Sequence, residues 1–383
     1  MERTIYTQEH EDFRKVFRNF LEKEVAPEFD KWEEQGHAPH DLYPKLGELG
    51  VTAFDIPEQY GGAGETSYKF QAVMTEEVVR AGVGLGNYSI STGIVVPYLL
   101  RLVNEEQAQR WLPGCASGDL MFAIAMTEPG TGSDLAGIRT TARRDGDHYV
   151  LDGAKTFITG SSQADLIVVV ARTSAPTPDD RRAGLSLLVV DTNSEGFEVG
   201  RRLDKIGLKS SDTCELSFTG VRVPAENLLG AEGQAFSYLG QNLPRERLSI
   251  AITGCASATA AIEQTIAYTQ DRKIFGKPVA AFQNSKFVLA ECAAELEAAQ
   301  AMVDKAIELD DAGELTAVDA AKCKLFCTEM AGRVIDKCLQ LHGGYGYIRE
   351  YPIARLYADT RVSRIFGGTS EVMKTIIAKS LGL

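Results

Sequence analysis

The chain is poor in histidine, short of positive charge, and without a continuous apolar run. Five histidines are scattered through 383 residues. Lysine and arginine total 40 against 53 aspartates and glutamates, a formal charge of −13 at pH 7. That balance excludes nucleic acid and anionic membrane as main partners. It leaves room for a local basic patch around a phosphorylated ligand. No run of about 18 apolar residues occurs, so no membrane span is expected. The seven cysteines are dispersed and odd in number. Cys323 and Cys327 lie one helical turn apart, with no matching His or Cys pair nearby. They read as small core residues, and neither a metal site nor a structural disulfide is expected. The segment MERTIYTQEHEDFRKVF is polar and acidic, unlike a secretory signal or an Arg-rich transit peptide, so a cytoplasmic location is expected.

Three textures follow one another. Residues 1–119 read as a helical domain. HEDFRKVFRNFLEKEVAPEF sets Phe13, Val16, Phe17, Phe20 and Leu21 at helical spacing, an amphipathic stripe. NEEQAQRWLPG adds a helix with acidic residues in its first turn. Residues 120–230 carry short β-type runs separated by Gly, Pro, Asp and Ser, with a hairpin signal at Asp145-Gly146-Asp147. Strands without helices between them predict a β-barrel domain. From 231 to 383 the pattern is helical again, with no proline between Pro278 and Pro352. The long Ala-rich stretches predict a four-helix bundle. The fold class is α+β, in the order helices, barrel, bundle.

AMTEPGTGSD, residues 125–134, forces a tight loop after the first strand. Its backbone N–H groups and the hydroxyls of Thr127 and Ser133 can receive an anion or a polar heterocycle. It is neither GxGxxG nor a Walker loop, and alone it would be a structural turn. Four further motifs follow in order: KTFITGSS at 155–162, DRKIFGKPVAAFQ at 271–283, QLHGGYGYIREYP at 340–352 and RIFGGTSE at 364–371. With the helix–barrel–bundle order, these five resemble the acyl-CoA dehydrogenase family over nearly the whole chain.

The resemblance implies a tightly bound FAD at the junction of barrel and bundle. Ile124, Met126, Thr127, Gly132 and Ser133 would line the flavin ring, and Phe157, Ile158 and Thr159 would cover it from the barrel. Many relatives have Trp at the position of Phe157. A neighbouring subunit would complete the adenosine and pyrophosphate site with Arg272, Phe275, Gln283, Gln340, Leu341, His342, Gly343 and Gly344. A guanidinium suits a pyrophosphate. His342 taken alone reads as a structural histidine. Thr369, Ser370 and Glu371 match a segment touching FAD at the start of the last helix, and Thr369 or Ser370 also reads as its N-cap.

The implied reaction is α,β-dehydrogenation of an acyl thioester. A carboxylate takes the α-proton while the β-hydrogen leaves as hydride to flavin N5. A flavin ribityl hydroxyl and the backbone N–H of Gly367 would polarise the carbonyl. Many relatives carry the base at the position of Gly367, and glycine cannot serve. The long-chain and isovaleryl enzymes carry it on an earlier helix, in an E-R-L sequence matching Glu246-Arg247-Leu248. The long-chain enzymes pair it with Gly-Gly, here Gly367-Gly368. One carboxylate with room beside it avoids two mutually repelling ones. Glu371 is a second candidate base, and a dead site a third possibility. Without the resemblance, the RER run after Pro244 would be a solvated helix start. Arg247, about 100° around the helix from Glu246, is expected to point toward the CoA or a helix partner. Ser133, Tyr238, Pro244, Arg245, Arg247, Gly367 and Gly368 match substrate-contacting positions. Ser237 falls where one long-chain relative has Tyr, which leaves chain-length preference open.

The partners implied are an acyl-CoA, an electron-transferring flavoprotein and further copies of the chain in a homotetramer, a dimer of dimers. Two other classes remain open on the same fold: an O₂-using oxidase or monooxygenase (or a dehydrogenase of carrier-protein thioesters), and a non-catalytic flavin-binding assembly subunit.

Overall fold

The protein is described by a computed structural model covering residues 2–383. The amino-terminal helices pack around a core of Phe17, Leu21, Trp32, Tyr43, Leu46 and Met74. The first, Gln8–Phe20, is capped by Thr7 with His10 reciprocating. Val16 does not join the buried stripe; it is 53% exposed. The buried arc centres on Phe17 and Leu21, and Val16 lies about 100° back from Phe17. Helix Glu105–Ser117 opens with a capping box: Gln107 N–H donates to Asn104 Oδ1 at 2.9 Å and Asn104 N–H to Gln107 Oε1 at 3.1 Å.

The middle region contributes β1 (Phe122–Ala125), β2 (Thr141–Asp145), β3 (His148–Thr159), β4 (Leu166–Arg172), β5 (Leu185–Asp191), β6 (Phe197–Arg202), β7 (Thr213–Pro224) and β8 (Leu228–Leu229). They form one mixed sheet in the order β6-β7-β3-β2-β4-β5-β8, with β1 parallel to β4. The hairpin expected at 145–147 joins β2 to β3, with Asp145 opposite His148. One face closes on itself around Ile167, Val169, Leu188, Val190, Leu216 and Val223. The other face of β4 and β5, through Val168, Val170, Leu187 and Val189, packs on the helices with Tyr98, Leu99, Trp111 and Leu239. Strands buried on both faces explain the continuous apolar runs LIVVVA and LSLLVV.

The carboxyl-terminal region is a bundle of three long helices, Ala235–Asp271, Gln283–Asp311 and Ala317–His342, with Ser370–Ser380 packed on the third. Small residues at the contacts (Ala251, Ala258, Ala261, Ala299, Ala320, Ala331) let the axes approach closely. All seven cysteines are buried and free, and Cys323 and Cys327 belong to this core.

Candidate active site

Pro244 does not begin a helix. It lies inside Ala235–Asp271. An interior proline forgoes the hydrogen bond to the carbonyl four residues back, here that of Gly240, and the helix nonetheless continues through it. The run after it is consequently not a solvated terminus: Glu246 and Arg247 are 6% and 5% exposed. Tyr98, on helix Val96–Leu102, donates its hydroxyl to Glu246 Oε1 at 3.0 Å. Asn242, one turn earlier on the same helix, donates to the same oxygen at 3.3 Å and to Ile94 O at 3.3 Å. Among the described residues, Oε2 receives no protein hydrogen bond. Burial pushes the Glu246 carboxyl up; the Tyr98 and Asn242 hydrogen bonds and the Arg247 charge oppose that rise.

Gly367 packs on the helix that carries Glu246, against Ile250 and Arg247. Ile250 follows Glu246 by one turn. A Cβ on Gly367 would fall well inside van der Waals contact distance of Ile250 Cδ1. Arg247 Nε donates to Gly367 O at 3.5 Å. Arg247 therefore reaches the carboxyl-terminal glycine turn, the helix-partner option of the two expected. Gly367 and Gly368 have φ of +61° and +94°, a region that disfavours any side chain.

Arg245 was expected at the substrate, and the structure gives it a different setting. Its Nη1 donates to Asp55 at 2.6 Å, its Nε lies 3.6 Å from Asp310, and its guanidinium covers the Tyr68 ring at 4.8 Å. It braces the helix against the amino-terminal domain. Tyr238 is likewise engaged, its hydroxyl accepting the Ala231 N–H at 3.0 Å at the sheet-to-helix turn.

The loop 125–134 and the segment 155–159 lie side by side. Thr156 N–H donates to Thr127 O at 2.9 Å. Lys155, fully buried, donates to Met126 O at 2.9 Å and to Glu128 at 3.0 Å. Glu128 accepts the N–H groups of Arg139 and Thr140. Burial lowers the Lys155 pKa to about 8, with Glu128 pulling the other way. Ile124 and Met126 join the cluster that holds Tyr98 and Leu239. Gly132 and Ser133 are exposed. Phe157 stands on a β-bulge at φ +59° with its ring 67% exposed. A bulky residue held in that region is strained. Ile158 faces the sheet core, so only its backbone is available, while Thr159 Oγ1 lies 3.2 Å from Thr213 Oγ1. An exposed aromatic face on the segment that lies beside the exposed Gly132-Ser133 loop fits a flat heterocycle such as the flavin ring.

The second expected set is on the surface. Arg272, Phe275, Gln283, Gln340, Gly343 and Gly344 are exposed, and Leu341 is half-buried. Phe275 is 92% exposed at φ +49°. The Arg272 guanidinium covers Tyr345 at 5.4 Å. His342 is buried, stacks on Tyr268 with centroids 4.3 Å apart, and bonds Cys338 O through Nδ1 at 3.0 Å, as a structural histidine would. Thr369 is the N-cap of Ser370–Ser380, accepting from Val372 N–H. Ser370 donates to Glu329 at 2.6 Å, and Glu371 is exposed to solvent.

Family models match the chain in order: acyl-CoA dehydrogenase N-terminal domain over residues 7–119, middle domain over 123–221 and C-terminal domain over 233–382. The chain belongs to the acyl-CoA dehydrogenase family. It is 41% identical to the long-chain specific acyl-CoA dehydrogenase of Sus scrofa mitochondria, covering 99% of this chain and 88% of that one. It is 35% identical to the caffeyl-CoA reductase-Etf complex subunit of Acetobacterium woodii, over 98% and 99% of the two chains. The acyl-CoA dehydrogenase structure from Geobacillus kaustophilus superimposes with a TM-score of 0.96 at 46% identity, covering 99% of both chains. A glutaryl-CoA dehydrogenase from Mycobacterium smegmatis in complex with FADH2 gives 0.90 at 30% identity, over 98% and 95%.

Tyr98, Asn242 and Lys324 are the site residues that sequence reasoning missed. Lys324 is 1% exposed and donates to the carbonyls of Phe366, at 2.6 Å, and Gly368. Two predictions follow from this geometry. Tyr98→Phe removes a hydrogen bond to the charged form of Glu246, which raises its pKa. The acidic limb of the pH–rate profile should move to higher pH by ~1–2 units, measured on flavin reduction by an acyl-CoA. Gly367→Ala forces Cβ against Ile250 at positive φ and should destabilise the fold by about 1–3 kcal/mol in urea unfolding.

Proposed function

We propose that Glu246 abstracts the α-proton of an acyl-CoA thioester while the Gly367 N–H holds the thioester oxygen, giving the trans-2-enoyl-CoA. The observation that carries this reading is the state of Glu246: buried, fastened through Oε1 only, and on the helix whose Arg247 and Ile250 touch the glycine turn. Desolvation makes the carboxylate a stronger base. Tyr98 and Asn242 fix its orientation and favour its charged form against the effect of burial. The Gly367 N–H stabilises negative charge as it develops on the carbonyl oxygen. FAD, the cofactor of this family, supplies the acceptor for the β-hydride when bound. Ser133, Arg247 and Gly368 are assigned to the substrate, with Arg247 acting from the glycine turn. Glu371 is set aside as base because it is exposed and its pKa is lowered by hydrogen bonds at the helix start.

Arg272, Phe275, Gln283 and residues 340–344 would complete the FAD site of a second copy, in a homotetramer. Support comes from the shared exposure of all of these but Leu341 and His342, with Phe275 in a strained conformation that nothing in its own chain explains. An electron-transferring flavoprotein is the proposed acceptor, in keeping with the Etf complex to which the Acetobacterium woodii relative belongs. That relative is a reductase, so both reaction directions need assay. None of the described helices is long and apolar enough to cross a membrane.

Anaerobic mixing of the holoenzyme with acyl-CoAs of graded length should bleach the flavin promptly. Oxidation that needs O₂ would instead indicate an oxidase, and no bleaching with any thioester a non-catalytic subunit. Glu246→Gln should retain FAD and acyl-CoA binding but slow flavin reduction by ~10²–10⁴-fold. Reduction at the parental rate in that variant would refute the assignment.

A further inference from the structure

Three consecutive carbonyls of the Phe366–Gly368 turn are held by cations. Lys324 Nζ, on the third bundle helix, takes the first and third. Arg247 Nε takes the second. Neither cation forms an ion pair with a carboxylate among the described residues. An ammonium buried without a counter-charge is expensive, and burial with the nearby Arg247 charge lowers the Lys324 pKa to about 8. The other fully buried lysine, Lys155, has Glu128 at 3.0 Å. Lys324 is thus the exception within its own fold, and it spends its charge on backbone oxygens.

A trans peptide is planar, with C=O and N–H on opposite sides. Fastening the Phe366 oxygen to Lys324 turns the N–H of Gly367 away from the third helix. Among the described residues that N–H has no protein acceptor. A cation on the carbonyl also polarises the amide, which makes its N–H a stronger donor. We infer that Lys324 is a positioning residue of the reaction: by holding the carbonyls on either side of Gly367, it aims and polarises the N–H that receives the thioester oxygen. The inference rests on the function proposed above.

The test uses the FAD-loaded enzyme and a carbonyl-labelled enoyl-CoA, read by isotope-edited infrared spectroscopy. The bound carbonyl stretch reports hydrogen bonding at the oxygen and needs no base. The parent protein and Glu246→Gln should both shift it to lower frequency. Lys324→Met, which keeps length and apolar volume, should lose half the shift or more. Its flavin-reduction rate should fall ~30–100-fold, below the loss for deleting an oxyanion donor outright, while acyl-CoA Kd stays within ~3-fold of the parent because the contact strengthens chiefly in the transition state. Lys324→Gln keeps a neutral donor and should fall between, and it decides the matter if the methionine variant does not fold. A parental shift and rate in either folded variant overturns the inference. Absence of any shift in the parent and in Glu246→Gln would instead defeat the proposed substrate site itself.

Discussion

Removing the Glu246 carboxylate from water costs several kcal/mol unless it is compensated, and the helix carrying it is anchored accordingly. Asn242 bonds the Ile94 carbonyl, Arg245 pairs with Asp55 and Asp310, and Glu246 accepts from Tyr98. Three positions within two turns are thereby tied to residues of the amino-terminal domain or a neighbouring helix. The compensation is partial. Two donors share Oε1, and the burial effect still dominates. A carboxylate fully satisfied by hydrogen bonds would be a poor base, and one with none would stay protonated. The observed arrangement lies between these limits.

The same helix face explains why a side chain at 367 and a base at 246 are alternatives. Ile250 occupies the volume that a Cβ on Gly367 would need. The backbone there has positive φ at two successive residues. The proposed placement of the base at Glu246 is therefore a packing statement as well as a chemical one. The turn has become a set of backbone donors, its oxygens engaged from below by Arg247 and Lys324.

Sequence patterns exposed some of this and hid the rest. The proposed pairing of Glu246 with Gly367-Gly368 starts from the sequence, where the chemistry demands one carboxylate and those residue types stand out; the structure adds that the two segments pack together through Arg247 and Ile250. Tyr98 was hidden because it lies in an apolar stretch, VVPYLL, where a tyrosine reads as core. Pro244 misled because proline favours the first helical turn, whereas here it lies inside a helix of 37 residues whose packing on both sides carries it through the break. Arg245 and Arg247 look alike in the string RER, yet 200° of helix rotation sends one to Asp55 and the other to the glycine turn. Lys324 did leave a signal. Ala320, Ala321, Cys327, Thr328 and Ala331 are all buried, and a lysine at helical spacing within that arc has to point inward.

Two buried lysines shape the two ligand-facing loops in the same physical way. Lys155 draws in the Met126 carbonyl under the 125–134 loop, and Lys324 draws in those of Phe366 and Gly368. In each case a cation collects carbonyl oxygens on the protein side, and peptide planarity turns the neighbouring N–H groups toward open space. Lysine suits this task because its three donors radiate from one point, where the planar fork of arginine would need a matching plane of acceptors. The difference between them follows from the charge each loop meets. A loop proposed to line a neutral ring works with a compensated cation, and Glu128 supplies the compensation. A turn proposed to hold negative charge as it develops gains from a cation left uncompensated, at the expense of stability in the resting protein.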